Sequence, residues 1–156
     1  MNNFDLKIIK QMMGKARTTW AELGVILGLS APTAAERVHK LEERGIIKGY
    51  YALVDPEAIG YGLAAFVAIF LEKPEHRKRF LEFVQCKAEI QECHHIAGEE
   101  DYILKVRCRG TRDLEQFVSQ EIKSIPGIVK TRTTIILSTV KETPVLPIKD
   151  DIVNDS

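Results

Sequence analysis

Five polar side chains recur along one short stretch at spacings that put them on one side of a helix: Thr33, Glu36, Arg37, Lys40 and Arg44. The cations suit phosphates, and the hydroxyl and carboxylate suit the edges of bases, which is the chemistry of a helix laid in the major groove of DNA. A solvated charged face is the plainer alternative, since Glu36, Glu42 and Glu43 balance the cations. A second group, Cys93, His94, His95 and Asp101, raises the question of a metal. Adjacent strand residues point to opposite faces, so His94 and His95 cannot easily share one ion, and neither a metal nor another cofactor is expected. Cys86, Cys93 and Cys108 form no C-x-x-C pair and are odd in number, so neither a zinc ribbon nor a disulfide framework is indicated.

The elements that position the first group are legible in its flanks. Ile8, Ile9, Met12 and Met13 mark a short amphipathic helix from Phe4-Asp5 to Gly14. Thr19-Trp20-Ala21-Glu22 has the form of a capping box, followed by Leu23, Ile26 and Leu27 on one face. Trp20 is expected to pack against a helix or to sit beside a phosphate. Gly28 suits a left-handed helix end, and Ser30 suits the cap of the next helix, so the turn between them is about three residues, the length of a helix-turn-helix. The third helix runs from about Ala31 to Arg44, with Pro32 tolerated in its first turn and Ala34, Val38 and Leu41 as the buried stripe. The expected DNA contacts are Arg37 and Lys40 as anchors, Thr33, Ala34 and Glu36 as base readers, and Ser30 and Pro32 at the helix start. Ala34 thus stands both in the stripe and among the readers.

Charge supports the division. The 156 residues balance 22 Lys and Arg against 22 Asp and Glu, but residues 1–50 carry an excess of +3 and the remainder −3. No run approaches the roughly 20 apolar residues of a membrane span, and no leader pattern opens the chain, so a cytoplasmic, nucleoid-associated protein is expected.

After Gly45, Ile46 to Val54 reads as a strand leading to a boundary near residues 55–61, where Pro56, Gly60 and Gly62 cluster. Beyond it the pattern is strand (Leu63 to Leu71), helix (Glu75 to Gln85), strand (Glu89 to Ala97), strand (Asp101 to Arg109), helix (Thr111 to Ser124) and strand (Ile128 to Val140). This is a ferredoxin-like α+β sandwich, βαββαβ. Helices would cover one face of its sheet, yet Leu63 to Leu71 is apolar at both odd and even positions, so the other face also avoids water. A second copy of the same sheet is the simplest cover, and it would pair two recognition helices roughly 34 Å apart.

Together these motifs make the chain resemble the Lrp/AsnC, or feast/famine, family of transcriptional regulators over residues 4–142. The resemblance rests on Leu29-Ser30, Glu36-Arg37-Val38, Leu41-Glu42, Gly45 through Tyr50, Asp55-Pro56, Glu92-Cys93-His94, Gly98, Asp101-Tyr102, Pro126-Gly127-Ile128, Arg132-Thr133 and Val140-Lys141. It implies a winged-type helix-turn-helix domain over 1–50, a strand and linker over 51–61, a ferredoxin-like effector and dimerisation domain over 62–142, and a tail over 143–156. It implies homodimers that associate further, commonly into octamers, and a bacterial or archaeal regulator whose binding to double-stranded DNA is adjusted by a small effector, usually an amino acid. In such proteins the effector sits between dimers near the loop that here reads Gly98 to Tyr102, so the implied contacts are His95, Gly98, Glu100, Asp101, Tyr102, Thr134 and Ile136. Asp101 can take an ammonium and the backbone beside Gly98 a carboxylate. A plain hairpin turn with Gly98 at positive φ and the acids in water accounts for the same residues.

A sequence-specific regulator is therefore expected, with a ligand-free architectural protein that wraps DNA as the alternative. No catalytic constellation is evident, and an enzyme is not expected. The tail carries Pro144, Pro147 and three aspartates. It is expected to be a loose arm, or one anchored on a neighbouring subunit by Val145, Leu146, Ile148 and Ile152.

Overall fold

The computed structural model describes residues 2–148 and divides into two compact units. One runs up to Leu53 and takes in the segment from Lys141, and the other runs from Val54 to Val140. Three helices make the first unit: α1 (Asn3–Gly14), α2 (Trp20–Leu27) and α3 (Ala31–Glu43). Each starts at a side chain that accepts a backbone N–H the helix leaves unpaired: Asn2 from Asp5, Thr19 from Glu22, and Ser30 from Thr33. At Asn2 and Thr19 the carboxylate three residues on accepts in return from the cap's own N–H. The expected Thr19 box is present, and the Asn2 box starts α1 one residue before Phe4.

The three apolar stripes meet in one core of Ile8 and Met12, Leu23 and Leu27, and Ala34, Val38 and Leu41. Ile26 departs from its expected place beside Leu23 and is about half exposed. The inner side of α2 is occupied instead by Gly24, where a Cβ would lie 2.7 Å from the Leu29 carbonyl oxygen and 3.2 Å from the Ala31 nitrogen. The turn closes on that bare position: Gly28 takes φ +66°, and the Leu29 N–H donates to the Gly24 carbonyl at 2.9 Å.

The strand expected over Ile46 to Val54 does not form. Gly45 turns left-handed, and the N–H groups of residues 45–47 donate back to the carbonyls of Glu42 and Leu41 at the end of α3. Among the described residues this unit holds no strand for the following stretch to pair with, and a strand without a ladder leaves its backbone to water.

The second unit is an antiparallel sheet with helices on one face. Its elements are β1 (Leu63–Leu71), α4 (Arg77–Cys86), β2 (Ile90–His95), β3 (Tyr102–Cys108), α5 (Thr111–Gln116) and β4 (Ile128–Ile136), with strand order β2-β3-β1-β4. This is the expected ferredoxin-like α+β arrangement. Its boundaries shift locally. A tight turn over Pro74–His76 precedes α4, wider π-helical turns over Phe117–Ile122 continue α5, and β4 stops at Ile136, leaving Leu137 and Val140 exposed.

On the helix side Ala65, Val67 and Ile69 of β1 pack with Phe80, Val84, Leu104, Val106, Phe117 and Ile122. On the open side Ala64 and Ala68 are buried, but Phe66 between them is 43% exposed, so the expected apolar second face ends in an uncovered ring. All three cysteines are free thiols. Burial pushes Cys108 up to about 11, Cys93 is half-buried and Cys86 is exposed. Val145 and Leu146 of the tail are exposed, and Ile152 lies outside the described residues. Among the described residues no helix is long and apolar enough to cross a membrane.

Two measurements test this account of the helical unit. Gly24→Ala forces a Cβ onto the Leu29 carbonyl and is expected to cost about 1–3 kcal/mol, lowering the melting temperature by several degrees. Gly14→Ala, with open space at its Cβ and no positive φ, serves as the control and is expected to hold or slightly raise the melting temperature. The Glu22 carboxyl is held down at about 2, first by the Thr19 N–H and then by Lys15. Its ionised form therefore favours the fold: the contribution is whole above the ordinary 4.5 and is lost as the pH falls toward 2. Glu22→Gln and wild type are expected to differ in melting temperature at neutral pH and to converge at the acid end of that window.

Candidate nucleic-acid interface and effector loop

The buried stripe of α3 decides what the rest of the helix offers. Ala34 has no exposed surface and belongs to the three-helix core, so it is corrected out of the expected base readers. Its spacing four residues before Val38 and seven before Leu41 already carried that answer. On the far side Pro32, Thr33, Glu36, His39, Lys40 and Glu43 are exposed. Ser30 caps the helix from outside, its hydroxyl 2.7 Å from that of Thr33. Lys40 donates to Glu36 one turn away at 2.7 Å, which holds the Glu36 carboxyl below its usual range. An exposed pair of this kind is weak, so both partners can exchange it for DNA.

Arg37 does not share that face. It follows Ala34 by three residues and precedes Leu41 by four, and so flanks the stripe and turns to α1. Its guanidinium lies 4.9 Å from the centre of the Phe4 ring and 3.8 Å from the Asp5 carboxylate, with its side chain 30% exposed. Arg37 therefore ties α1 to α3, whereas Lys40 is presented outward.

His39 was not among the expected contacts, yet it stands on the outward side with its side chain 64% exposed. It follows Pro32 by seven residues and Glu36 by three, a spacing that could have revealed it. Its Nδ1 lies 3.0 Å from Glu42 Oε2, and its ring lies 6.2 Å from that of Trp20. Glu42 Oε1 in turn accepts from the Tyr50 hydroxyl at 2.8 Å. Burial and this bond push Tyr50 up to about 12, while the Tyr50 and His39 bonds hold Glu42 below its usual range.

The residues expected around an effector lie on both faces of the sheet. Asp101 is anchored: its Oδ2 accepts from the Leu71 N–H at 2.7 Å, and its own N–H donates to Ile69 at 3.0 Å. Glu100 is paired with Arg132 of β4, a contact residue that sequence reasoning missed. Gly98 does not take positive φ, and a Cβ there would meet only ordinary contacts, so the hairpin account of this glycine fails. Tyr102 is 3% exposed and faces the helices, with Phe80 at 4.9 Å and His95 stacked on it at 4.9 Å. Thr134 and Ile136 point to the open face. They pair with Phe66 and Ala64, whereas Tyr102 pairs with Ile69. At about 3.3 Å per residue, three and five positions along β1 put them roughly 10 and 17 Å from the loop end. Within one protomer they are therefore not beside the loop, and Arg132 is the β4 residue that reaches it. His94 and His95 face opposite sides, His94 near Glu92 at 3.1 Å, and among the described residues no cluster of three ligands suits a metal.

A capped helix pair with a tight turn and a bare outward helix, followed by a ferredoxin-like unit with a looped sheet end, defines a helix-turn-helix regulator with a ligand-binding domain. Residues 1–48 match the family of winged helix-turn-helix DNA-binding domains, and residues 64–146 match the Lrp/AsnC ligand binding domain. The transcriptional regulator FL11 of Pyrococcus horikoshii is 36% identical over 149 residues, covering 96% of this chain and 97% of its own. The regulator LrpA of Mycobacterium tuberculosis is 37% identical over 142 residues, covering 89% and 91%. A solved transcriptional regulator of Neisseria meningitidis in complex with L-Met superposes with a TM-score of 0.89 at 28% identity, covering 94% and 96%. The chain belongs to the Lrp/AsnC family of DNA-binding transcriptional regulators, which are not enzymes.

Asp101→Ala leaves the Leu71 N–H without its acceptor and is expected to cost about 1–2 kcal/mol, read as a lower melting temperature. Glu99→Ala, at an exposed neighbour, is expected to leave that temperature unchanged.

Proposed function

We propose that α3 enters the major groove with Ser30, Pro32, Thr33, Glu36 and Lys40 toward the DNA, that two copies pair through the open face of the sheet, and that an amino-acid effector binds at the loop from Gly98 to Tyr102. The observation that carries the DNA reading is the contrast on α3, whose stripe is sealed in the core while Pro32, Thr33, Glu36, His39, Lys40 and Glu43 on its opposite side are exposed. The uncovered Phe66 at the centre of the open face supports pairing, because a central-strand aromatic left in water gains from a second sheet.

The effector reading draws support from Gly98. Neither its φ nor its surroundings require glycine, and the absence of a side chain leaves the backbone there open to a carboxylate. Asp101 keeps Oδ1 for an ammonium while Oδ2 holds β1. Completing the site with Thr134 or Ile136 takes a second copy, which fits an effector held between dimers and higher assemblies such as octamers.

Lys40→Ala is expected to weaken operator binding in a mobility-shift assay at fixed salt by about tenfold with no change in melting temperature. Phe66→Glu is expected to shift the protein to monomers in sedimentation. A thermal-shift screen of the twenty amino acids is expected to pick out a ligand whose effect is lost in Gly98→Val. Equal affinity for operator and random DNA would overturn the sequence-specific reading.

A further inference from the structure

We infer that His39 is a base-reading residue whose outward nitrogen, Nε2, acts as a hydrogen-bond acceptor and selects an amine-bearing base, adenine or cytosine, at one operator position. The inference rests on the proposal that α3 lies in the major groove. Pro32, Ala35, Glu36 and His39 follow one another at helical i, i+3, i+4 and i+7 spacing, so a groove that meets the first turn of the ridge also meets its third.

Which way His39 reads follows from its inner nitrogen. Glu42 is an ionised carboxylate, which only accepts, and it already takes the Tyr50 hydroxyl on its other oxygen. The 3.0 Å contact from Nδ1 to Glu42 Oε2 therefore carries the imidazole's proton on Nδ1. In its neutral form the ring thus bears its lone pair on Nε2, which has no partner among the described residues. Trp20 from α2 lies against the ring without competing for that nitrogen.

In the major groove an acceptor meets favourable partners only at adenine N6 and cytosine N4. Guanine O6 and N7, thymine O4 and phosphate oxygens all repel it. Glu42 is thus a positioning residue: it sets the tautomer, and Tyr50 holds it in place.

The test selects binding sites from a random DNA pool with the full-length wild type, His39→Ala, Glu42→Gln and Lys40→Ala. For wild type, one position is expected to favour adenine or cytosine by about five- to tenfold. His39→Ala is expected to lose preference at that position alone. Glu42→Gln, whose amide accommodates either tautomer, is expected to admit guanine there. Replacing the selected base by its analogue without the exocyclic amine is expected to weaken wild type by the same factor and to leave His39→Ala unmoved. A wild-type preference for guanine or thymine at the His39-dependent position overturns the inference, as does an unchanged His39→Ala consensus. A uniform loss across all sequences with a shallower salt dependence assigns His39 to phosphate and overturns it too. If Lys40→Ala binds as tightly as wild type, the groove reading of α3 fails first; if Lys40→Ala is weakened and His39→Ala is not, only this inference falls.

Discussion

The helical unit depends on one close approach. The carbonyl of Leu29 occupies the space that any side chain at residue 24 would fill, and this lets α2 end and α3 begin within three residues. Because the turn is that short, α3 has little freedom to roll about its axis, and the apolar stripe of Ala34, Val38 and Leu41 settles the remainder by entering the core with Ile8 and Leu23. Everything α3 can show to a ligand is then whatever lies opposite that stripe. Arg37 illustrates the force of the constraint. Its charge suits DNA, but its angle on the helix sends it to Phe4 and Asp5.

The effector unit follows a different logic, because its central strand has two faces to satisfy. Ala65, Val67 and Ile69 are covered by helices within the chain, while Ala64 and Ala68 are shielded by their neighbours and Phe66 is not. Small residues on the open side keep that surface flat enough for another sheet to approach, and the single aromatic between them gives the approach something to bury. The loop that leads into β3 is held to β1 through Asp101, so a ligand contacting it would meet a fixed backbone rather than a free hairpin.

Local grammar was what the sequence made legible. The Thr19 box, the left-handed Gly28, the Ser30 cap, the α3 stripe and the alternation of β3 all depend on residues within one or two turns of each other, and all stand where expected. What stayed hidden depends on distant partners. Ile46 to Val54 has the composition of a strand, but a strand is a property of two segments, and the described residues of its own unit supply no second. Ile26 has the spacing of a core residue, but the core was already closed by the approach at Gly24. Thr134 and Ile136 are near the loop in the resemblance and far along β1 in the register, whereas Arg132 arrives there from 32 residues away by pairing beside Ala68.

The charge balance of α3 bears on what kind of DNA-binding protein this is. Lys40 is joined to Glu36, and Glu42 and Glu43 follow on the same helix, so its carboxylates offset its cations. Non-specific affinity grows with the number of phosphates that Lys and Arg neutralise, and a helix that also carries Glu36, Glu42 and Glu43 repels part of what its cations attract, so it gains little from an arbitrary duplex. If α3 lies in the groove as proposed, it gains where a particular base edge offers each carboxylate a donor and each nitrogen its complement, because only then are the internal bonds replaced rather than lost. On the proposed groove reading, such a helix would discriminate by refusing most sequences, which is the property a regulator requires and a protein that coats DNA does not.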